Sequence, residues 1–149
     1  MITSPSQVIL VVEDNPDDFE ATERALRKAG IANPIQRCVD GDDALDYLFR
    51  EGEYSDPEKA PRPGLILLDL NLPGTDGREV LGELKKDDGL KSIPVIVLTT
   101  STDERDIRSC YEAGANSYMS KRINLQEFME AINRMSDFWL EIAVLPRNP

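Results

Sequence analysis

The sequence contains no histidine among its 149 residues. This absence excludes catalytic triads that depend on an imidazole base, the commonest zinc ligand sets, and a phosphohistidine carried by the chain itself. If the protein handles a phosphoryl group, the histidine that donates it must therefore lie on another molecule.

Cysteine, basic residues and long apolar runs are also scarce. The two cysteines, Cys38 and Cys110, lack metal-ligand spacing, and we expect both to pack in the core as reduced thiols. The chain has 17 basic and 28 acidic residues, a net charge of −11, which argues against a nucleic-acid partner. No apolar run is long enough to span a membrane and the first residues lack a secretory pattern, so the sequence predicts a cytoplasmic protein without a membrane partner.

The apolar residues fall into short runs that alternate with helical patterns. Four of them at positions 65–68 lie between Pro and Gly residues and end on Asp69, which is typical of a central parallel strand buried on both faces. A more polar strand at 34–38 is expected at an edge of the sheet. Strand and helix alternate five times, so the sequence predicts one α/β domain over residues 1–149, with a parallel sheet and helices on both faces.

Capping residues predict where each helix begins. Side chains that can accept a hydrogen bond from the first turn stand at five expected helix starts: Asn15, Asp40, Asp76, Ser101 and Asn124. Residues 51–63 are polar and rich in proline, and we interpret them as a long surface loop.

Polar side chains follow four of the predicted strands. They are Glu13 with Asp14, then Asp69, Thr99 and Lys121. The carboxyl ends of parallel strands share one edge of the sheet, so these groups should converge. Clustered carboxylates repel one another unless a cation lies between them, and oxygen ligands suit Mg²⁺. Taken singly, Thr99 could be a helix cap and Lys121 a surface lysine; together they predict a site that handles a phosphoryl group with a divalent metal.

At these positions the chain resembles the receiver domain of two-component response regulators. The resemblance spans roughly residues 8–135 and rests on four segments in order: VVEDN at 11–15, LLDLNLPGTDG at 67–77, PVIVLTTS at 94–101 and GANSYMSK at 114–121. It implies a flavodoxin-like, doubly wound, five-stranded parallel sheet in the order 2-1-3-4-5 with five helices.

The resemblance also implies a role for each matching residue. Asp69 corresponds to the phosphoacceptor, Glu13 and Asp14 to the acid pair that binds Mg²⁺, and the carbonyl of Asn71 to a further ligand. Thr99 and Lys121 correspond to the hydroxyl and the ammonium that meet the phosphoryl oxygens. Tyr118 corresponds to the aromatic residue whose rotamer reports phosphorylation, although a half-buried tyrosine of an edge strand would look the same.

One departure from the family pattern follows the lysine. The family usually has proline there, often after a cis bond, whereas Arg122 follows Lys121 here. A cis bond before a non-proline residue costs about 2.5–4 kcal/mol. Either the chain tolerates that strain or the bond is trans and Lys121 approaches the site differently.

The C-terminal residues indicate a subgroup within this family. The polar loop and a terminus rich in Phe and Trp resemble single-domain regulators that partner phytochrome-type sensor histidine kinases. An apolar stripe continues for about five turns of the last helix into an extension at 136–149. That extension either folds back onto its own domain or forms a homodimer contact.

Two function classes remain after this comparison. The first is a stand-alone phosphoacceptor switch that receives its phosphoryl group from a partner histidine kinase and is not an enzyme. The alternative is an aspartyl-phosphate phosphatase of the haloacid-dehalogenase type with Asp69 as nucleophile. Such phosphatases have an Asp two residues after the nucleophile, where this chain has Asn71, and this difference favours the switch.

Overall fold

Five parallel strands form one sheet in the order β2-β1-β3-β4-β5, as seen in a computed structural model that describes residues 7–121 and 124–146. The predicted strand order is confirmed. The strands are β1 (Val8–Val12), β2 (Ile35–Cys38), β3 (Pro63–Leu68), β4 (Val95–Thr99) and β5 (Ser117–Ser120). The helices are α1 (Pro16–Lys28), α2 (Gly41–Phe49), α3 (Gly77–Lys86), α4 (Glu104–Ala113) and α5 (Leu125–Ser136).

The central strands are buried on both faces because their side chains alternate between two apolar layers. Ile66 and Leu68 of β3 pack with α2, α3 and α4 on one face. Leu65 and Leu67 pack with α1 and α5 on the other. Cys38 and Cys110 are both buried free thiols in the first layer, which confirms the expectation of core packing.

Four of the five predicted helix caps are confirmed. The side chains of Asn15, Asp40, Asp76 and Asn124 each accept a hydrogen bond from a backbone N–H of the first helical turn. The prediction for α4 is wrong: Asp103 is the cap and accepts from Arg105 N, two residues after the predicted Ser101. The Ser101 hydroxyl instead donates to the Asp106 carboxylate at 2.6 Å, which leaves the capping position to Asp103.

The loop between α2 and β3 packs against the domain. It contains one 3₁₀ turn, Gly52–Tyr54, and Tyr54 donates to Asp43 while its ring contacts that of Tyr47 edge-on. Tyr47 is itself buried and donates to the Pro61 carbonyl at 2.7 Å. These contacts fasten the loop to α2.

The last helix differs from the predicted five-turn stripe. The α-helix ends at Ser136 and continues as a π-helical segment, Asp137–Ile142, in which Ala143 N donates to the carbonyl of Phe138. A π turn holds more residues than an α turn, so the apolar stripe is displaced. Leu140 consequently lies in the core, and Trp139 is half-buried beside it.

Two further points complete the fold. Among the described residues, no helix is both long enough and apolar enough to cross a membrane. The bond between Lys121 and Arg122, whose geometry the sequence left open, lies outside the described residues.

Candidate metal centre

Three carboxylates meet at the carboxyl edge of the sheet. Glu13 and Asp14 follow β1 and Asp69 follows β3, the neighbouring strand; Asp69 N donates to the Val12 carbonyl at 3.1 Å. One oxygen of each acid lies within 4.8 Å of those of the other two. Glu13 and Asp69 are buried, whereas Asp14 is exposed. The sequence prediction that these acids converge is confirmed.

A close helix start fixes the backbone at Asp69. Gly77 N donates to the Leu70 carbonyl at 2.9 Å, which brings the first turn of α3 directly behind the acid. A Cβ at Gly77 would lie 2.2 Å from the Asp69 carbonyl oxygen, closer than any side chain can approach. Glycine is therefore needed at this position for Asp69 to keep its place.

Lys121 enters the acid cluster from the end of β5. Its backbone N donates to the Thr99 carbonyl at 2.7 Å, and its side chain is only 8% exposed. The ammonium donates to Glu13 at very short range, to Asp69 Oδ2 at 3.0 Å and to Asp18 Oδ2 at 3.1 Å. The interpretation of Lys121 as an ordinary surface lysine is thus excluded.

Burial and the contacts between charged groups shift the pKa values of this cluster in opposite directions. Burial lowers the pKa of Lys121, but the contacts with Glu13 and Asp69 outweigh it and raise the pKa above its usual value, so the lysine is charged. Burial raises the pKa of Glu13 to about 7, which the Lys121 contact only partly offsets. A buried carboxylate that shares one ammonium with two other acids still gains from a further cation.

Asp18 is a site residue that the sequence reasoning missed. Asp18 lies in the first turn of α1, where acidic side chains are common because they complement the helix dipole. Its carboxylate nonetheless contacts Lys121 across 103 positions of sequence. A possible signal was its place one helical turn after the acid pair, on the same connection.

The hydroxyl side of the site lies at the end of β4. Thr99 is completely buried, and Ser101 N lies 3.5 Å from its hydroxyl oxygen. Tyr118 of β5 is half-buried and its hydroxyl donates to the Ser101 carbonyl at 2.8 Å. The turn after Thr99 is therefore tied to the tyrosine that the sequence singled out.

An ion network that the sequence did not predict continues from this turn. Asp106 of α4 accepts from the Ser101 hydroxyl and from Arg78 Nε at 3.0 Å, and Arg78 also pairs with Asp76. The bond to Ser101, followed by Arg78, lowers the pKa of Asp106. The network links the turn after Thr99 to the start of α3, which lies behind Asp69.

Asn71 lies beside the acids, two residues after Asp69. Its backbone N–H approaches Asp69 Oδ1 at 3.3 Å, and its side chain is exposed. Its role as a carbonyl ligand stays a prediction.

The donor set fits a hard divalent cation. It consists of carboxylate oxygens, with one acid facing solvent where water ligands can join. Neither cysteine is available as a metal ligand at this site, since both are packed in an apolar layer. The residues therefore suit Mg²⁺ better than zinc.

Comparison with known proteins decides the family. The sequence model of the response regulator receiver domain matches residues 9–133. The chain belongs to this family. Response regulator Rcp1 of Synechocystis sp. is 44% identical over 144 residues, which are 97% of this chain and 96% of that protein. The resemblance inferred from four sequence segments is confirmed.

Solved structures extend the comparison to the receiver fold. The phosphorylated cyanobacterial phytochrome response regulator RcpA is 44% identical with a TM-score of 0.89, over 95% of this chain and 99% of that one. The Mn²⁺-bound form of Rcp1 matches with a TM-score of 0.88 at the same identity and coverage. The flavodoxin-like fold, the response-regulator function and the divalent-metal prediction are confirmed at the level of the family, and relatives linked to phytochrome stand among the matches.

Proposed function

We propose that this receiver domain takes a phosphoryl group onto Asp69 from a phosphohistidine of a partner sensor kinase. One observation carries the proposal: Asp69 ends the central strand, with two acids within 4.8 Å and the ammonium of Lys121 at 3.0 Å. The 149 residues contain no histidine, so the donor histidine lies outside this sequence.

The transfer step follows from the chemistry of a carboxylate nucleophile. An oxygen of Asp69 bonds to phosphorus while the bond between phosphorus and the imidazole nitrogen breaks, and that nitrogen keeps the electron pair. In this proposal the Lys121 ammonium, which lies 3.0 Å from Asp69 Oδ2, and the Thr99 hydroxyl meet the phosphoryl oxygens. Mg²⁺ bound by Glu13 and Asp14, together with Asp69 and the Asn71 carbonyl, would supply positive charge for the transfer.

The output is a conformational change, for which Thr99 and Tyr118 are the proposed switch residues. A Thr99 hydroxyl that turns toward a phosphoryl group would pull on the turn that carries Ser101. Tyr118 of β5 donates to the Ser101 carbonyl, and the Ser101 hydroxyl donates to Asp106 of α4, so that movement would reach both elements.

The lifetime of the phosphorylated state separates a switch from the phosphatase alternative. A switch must stay phosphorylated long enough to signal, whereas a phosphatase hydrolyses its aspartyl phosphate in every turnover. The side chain two residues after Asp69 is Asn71, which cannot act as a general acid or base. The comparisons give the phosphatase no support. Hydrolysis of a panel of phosphate monoesters should stay at the level of the Asp69→Asn protein; sustained turnover above that level would favour the phosphatase.

Phytochrome-type sensor kinases are the proposed partners. The support is similarity to RcpA, a phytochrome response regulator, over nearly the whole of both chains. A purified phytochrome-type kinase, autophosphorylated with labelled ATP, should lose its label to the parent protein but not to Asp69→Asn. Asp88→Asn, which changes an exposed acid that pairs with Lys91 outside the cluster, should accept label like the parent. A kinase that labels Asp69→Asn equally would contradict the assignment.

The C-terminal extension at 136–149 is proposed to form a homodimer contact. Phe138 is 50% exposed and Val144 is 82% exposed, and the Phe138 ring packs edge-on against Trp139. Leu140 is already covered by the chain's own core, so folding back accounts for that residue but not for these two. Exposed apolar groups on one short segment of the chain favour a self-complementary contact.

Sedimentation velocity tests the dimer with a matched pair of variants. Phe138→Ser should shift the protein toward monomer at micromolar concentration. Val39→Ser removes a similarly exposed apolar side chain, 46% exposed, outside the extension and should leave the parent behaviour unchanged. A parent protein that is monomeric at high micromolar concentration would exclude the dimer.

A cytoplasmic location and the absence of a nucleic-acid partner are also part of the proposal. The two free thiols support the location, and the net charge of −11 argues against nucleic-acid binding.

A further inference from the structure

Arg37 makes unusual contacts for a side chain on an edge strand. It lies on β2, in register with Val11 of β1, one strand outside the acid cluster. Its guanidinium donates from Nε to the Glu13 carbonyl and from a terminal nitrogen to the Asp14 carbonyl, both at 3.1 Å. The same guanidinium lies 5.1 Å from the centre of the Phe19 ring on α1.

These contacts begin where the backbone ladder stops. Glu13 N still pairs with the Cys38 carbonyl at 3.0 Å, which is the last rung between β1 and β2. Beyond it the chain turns into α1, and the next two carbonyls are held by Arg37. The Asp14 carboxylate makes no hydrogen bond or ion pair within the described ranges, so its direction depends on its backbone.

We propose that Arg37 is a positioning residue for the metal ligands Glu13 and Asp14. Its two parallel N–H groups fix two consecutive carbonyls and with them the peptide unit between the two acids. Phe19 holds the guanidinium in place through its ring face. The role rests on the proposed function, because it assumes that these carboxylates bind Mg²⁺.

Lysine cannot replace arginine in this arrangement. An ammonium carries the same charge but lacks the rigid planar fork that reaches two acceptors at once. A guanidinium near a cation site would, by charge alone, weaken metal binding. Positioning and charge therefore predict opposite results for Arg37→Gln, which removes the charge together with the fork.

Mg²⁺ titration by calorimetry on the full chain separates the two effects. Positioning predicts that Arg37→Lys and Arg37→Gln both lower Mg²⁺ affinity about 10-fold, the size of effect known for residues that orient metal ligands. Arg24→Lys and Arg24→Gln are the controls, since Arg24 is an exposed arginine of α1 paired with Glu20, and both should bind Mg²⁺ like the parent. Phe19→Leu keeps both donors and should give a smaller loss.

A second readout does not depend on the metal. Hydrogen exchange of the backbone amides at positions 14, 15, 17 and 18 should be faster in Arg37→Lys than in the parent in metal-free buffer, and unchanged in Arg24→Lys. Urea unfolding of the same variants shows which of them are folded. If Arg37→Gln does not fold, Arg37→Lys and Phe19→Leu still carry the test.

The outcomes distinguish this role from the proposed function. The positioning role would be overturned if Arg37→Lys bound Mg²⁺ with the affinity of the parent, or if Arg37→Gln bound it more tightly than the parent. Either result would leave the metal site intact. If Asp14→Asn binds Mg²⁺ as tightly as the parent does, the metal site itself is overturned, and the Arg37 role with it.

Discussion

The ammonium of Lys121 lies 3.0 Å from Asp69 Oδ2, so the proposed phosphoacceptor is already paired with a cation of its own chain. The same ammonium contacts Glu13, one of the proposed metal ligands. Lysine and metal therefore share two carboxylates, and much of the repulsion in the acid cluster is offset before any metal binds.

Lys121→Met should destabilise the metal-free protein by about 3 kcal/mol, because it leaves Glu13 and Asp69 buried without their partner. Mg²⁺ should restore more stability to this variant than it adds to the parent, since the metal then supplies the missing charge. Urea unfolding with and without Mg²⁺ measures both quantities. Lys91→Met, which breaks an exposed pair with Asp88, is the control. Equal Mg²⁺ responses in parent and Lys121→Met would show that the metal and the lysine act on different acids.

Mg²⁺ should raise the melting temperature of the parent but not of Asp14→Asn, since a ligand that binds only the native state stabilises it. Asp14 is exposed and is not among the described ion-pair partners of Lys121, so its removal should raise metal-free stability only slightly. Thermal unfolding checks both points. Asp17→Asn makes the same charge change three residues away, outside the cluster, and should keep the full response. If Asp14→Asn gains as much from Mg²⁺ as the parent, the metal lies elsewhere.

Two glycines of α3 should respond in opposite ways to alanine. Gly77→Ala forces a Cβ against the Asp69 carbonyl and should destabilise by about 1–3 kcal/mol while displacing the acid. Gly82→Ala has open space in the helix interior and should stabilise by about 0.5–1 kcal/mol. Chemical unfolding gives both values. A Gly77→Ala protein as stable as the parent would mean that α3 does not hold Asp69 in place.

The buried thiols should make stability fall in alkaline solution. Burial raises the pKa of Cys38, with nearby acids adding to the effect, and burial also raises that of Cys110. A thiol with a raised native pKa costs nothing below the unfolded value of about 8.5, and stability is lost as the pH rises above that value. At one pH unit above it, the loss for Cys38 should be about 1.4 kcal/mol.

Urea unfolding at neutral and alkaline pH measures this loss. Cys38→Ala should show a smaller drop between the two pH values than the parent, even if it is less stable at both. An identical drop in the two proteins would assign the pH dependence to other groups.

Local signals predicted the fold and the framework of the site. Buried strands ending on Glu13, Asp69 and Thr99 could be read from short apolar runs, and four helix caps from single side chains. The contacts of Lys121 could not, because its partners lie 52 to 108 positions away and depend on how three loops meet.

Two errors have a clear physical origin. Ser101 satisfies a capping pattern, but Asp103 does too, and only the position of Asp106 decides which side chain caps α4. The displaced stripe of the last helix depends on a π turn, which is rare, and the apolar spacing of the sequence fits an uninterrupted α-helix equally well.

Phosphorylation at Asp69 is the central claim, and intact-mass spectrometry tests it most directly. After incubation with acetyl phosphate and Mg²⁺, the parent should gain the mass of one phosphoryl group. Asp69→Asn, and the parent with EDTA, should gain none, whereas Asp88→Asn, which changes an exposed acid outside the cluster, should gain one as the parent does. A phosphoryl group that still appears on Asp69→Asn would contradict the assignment.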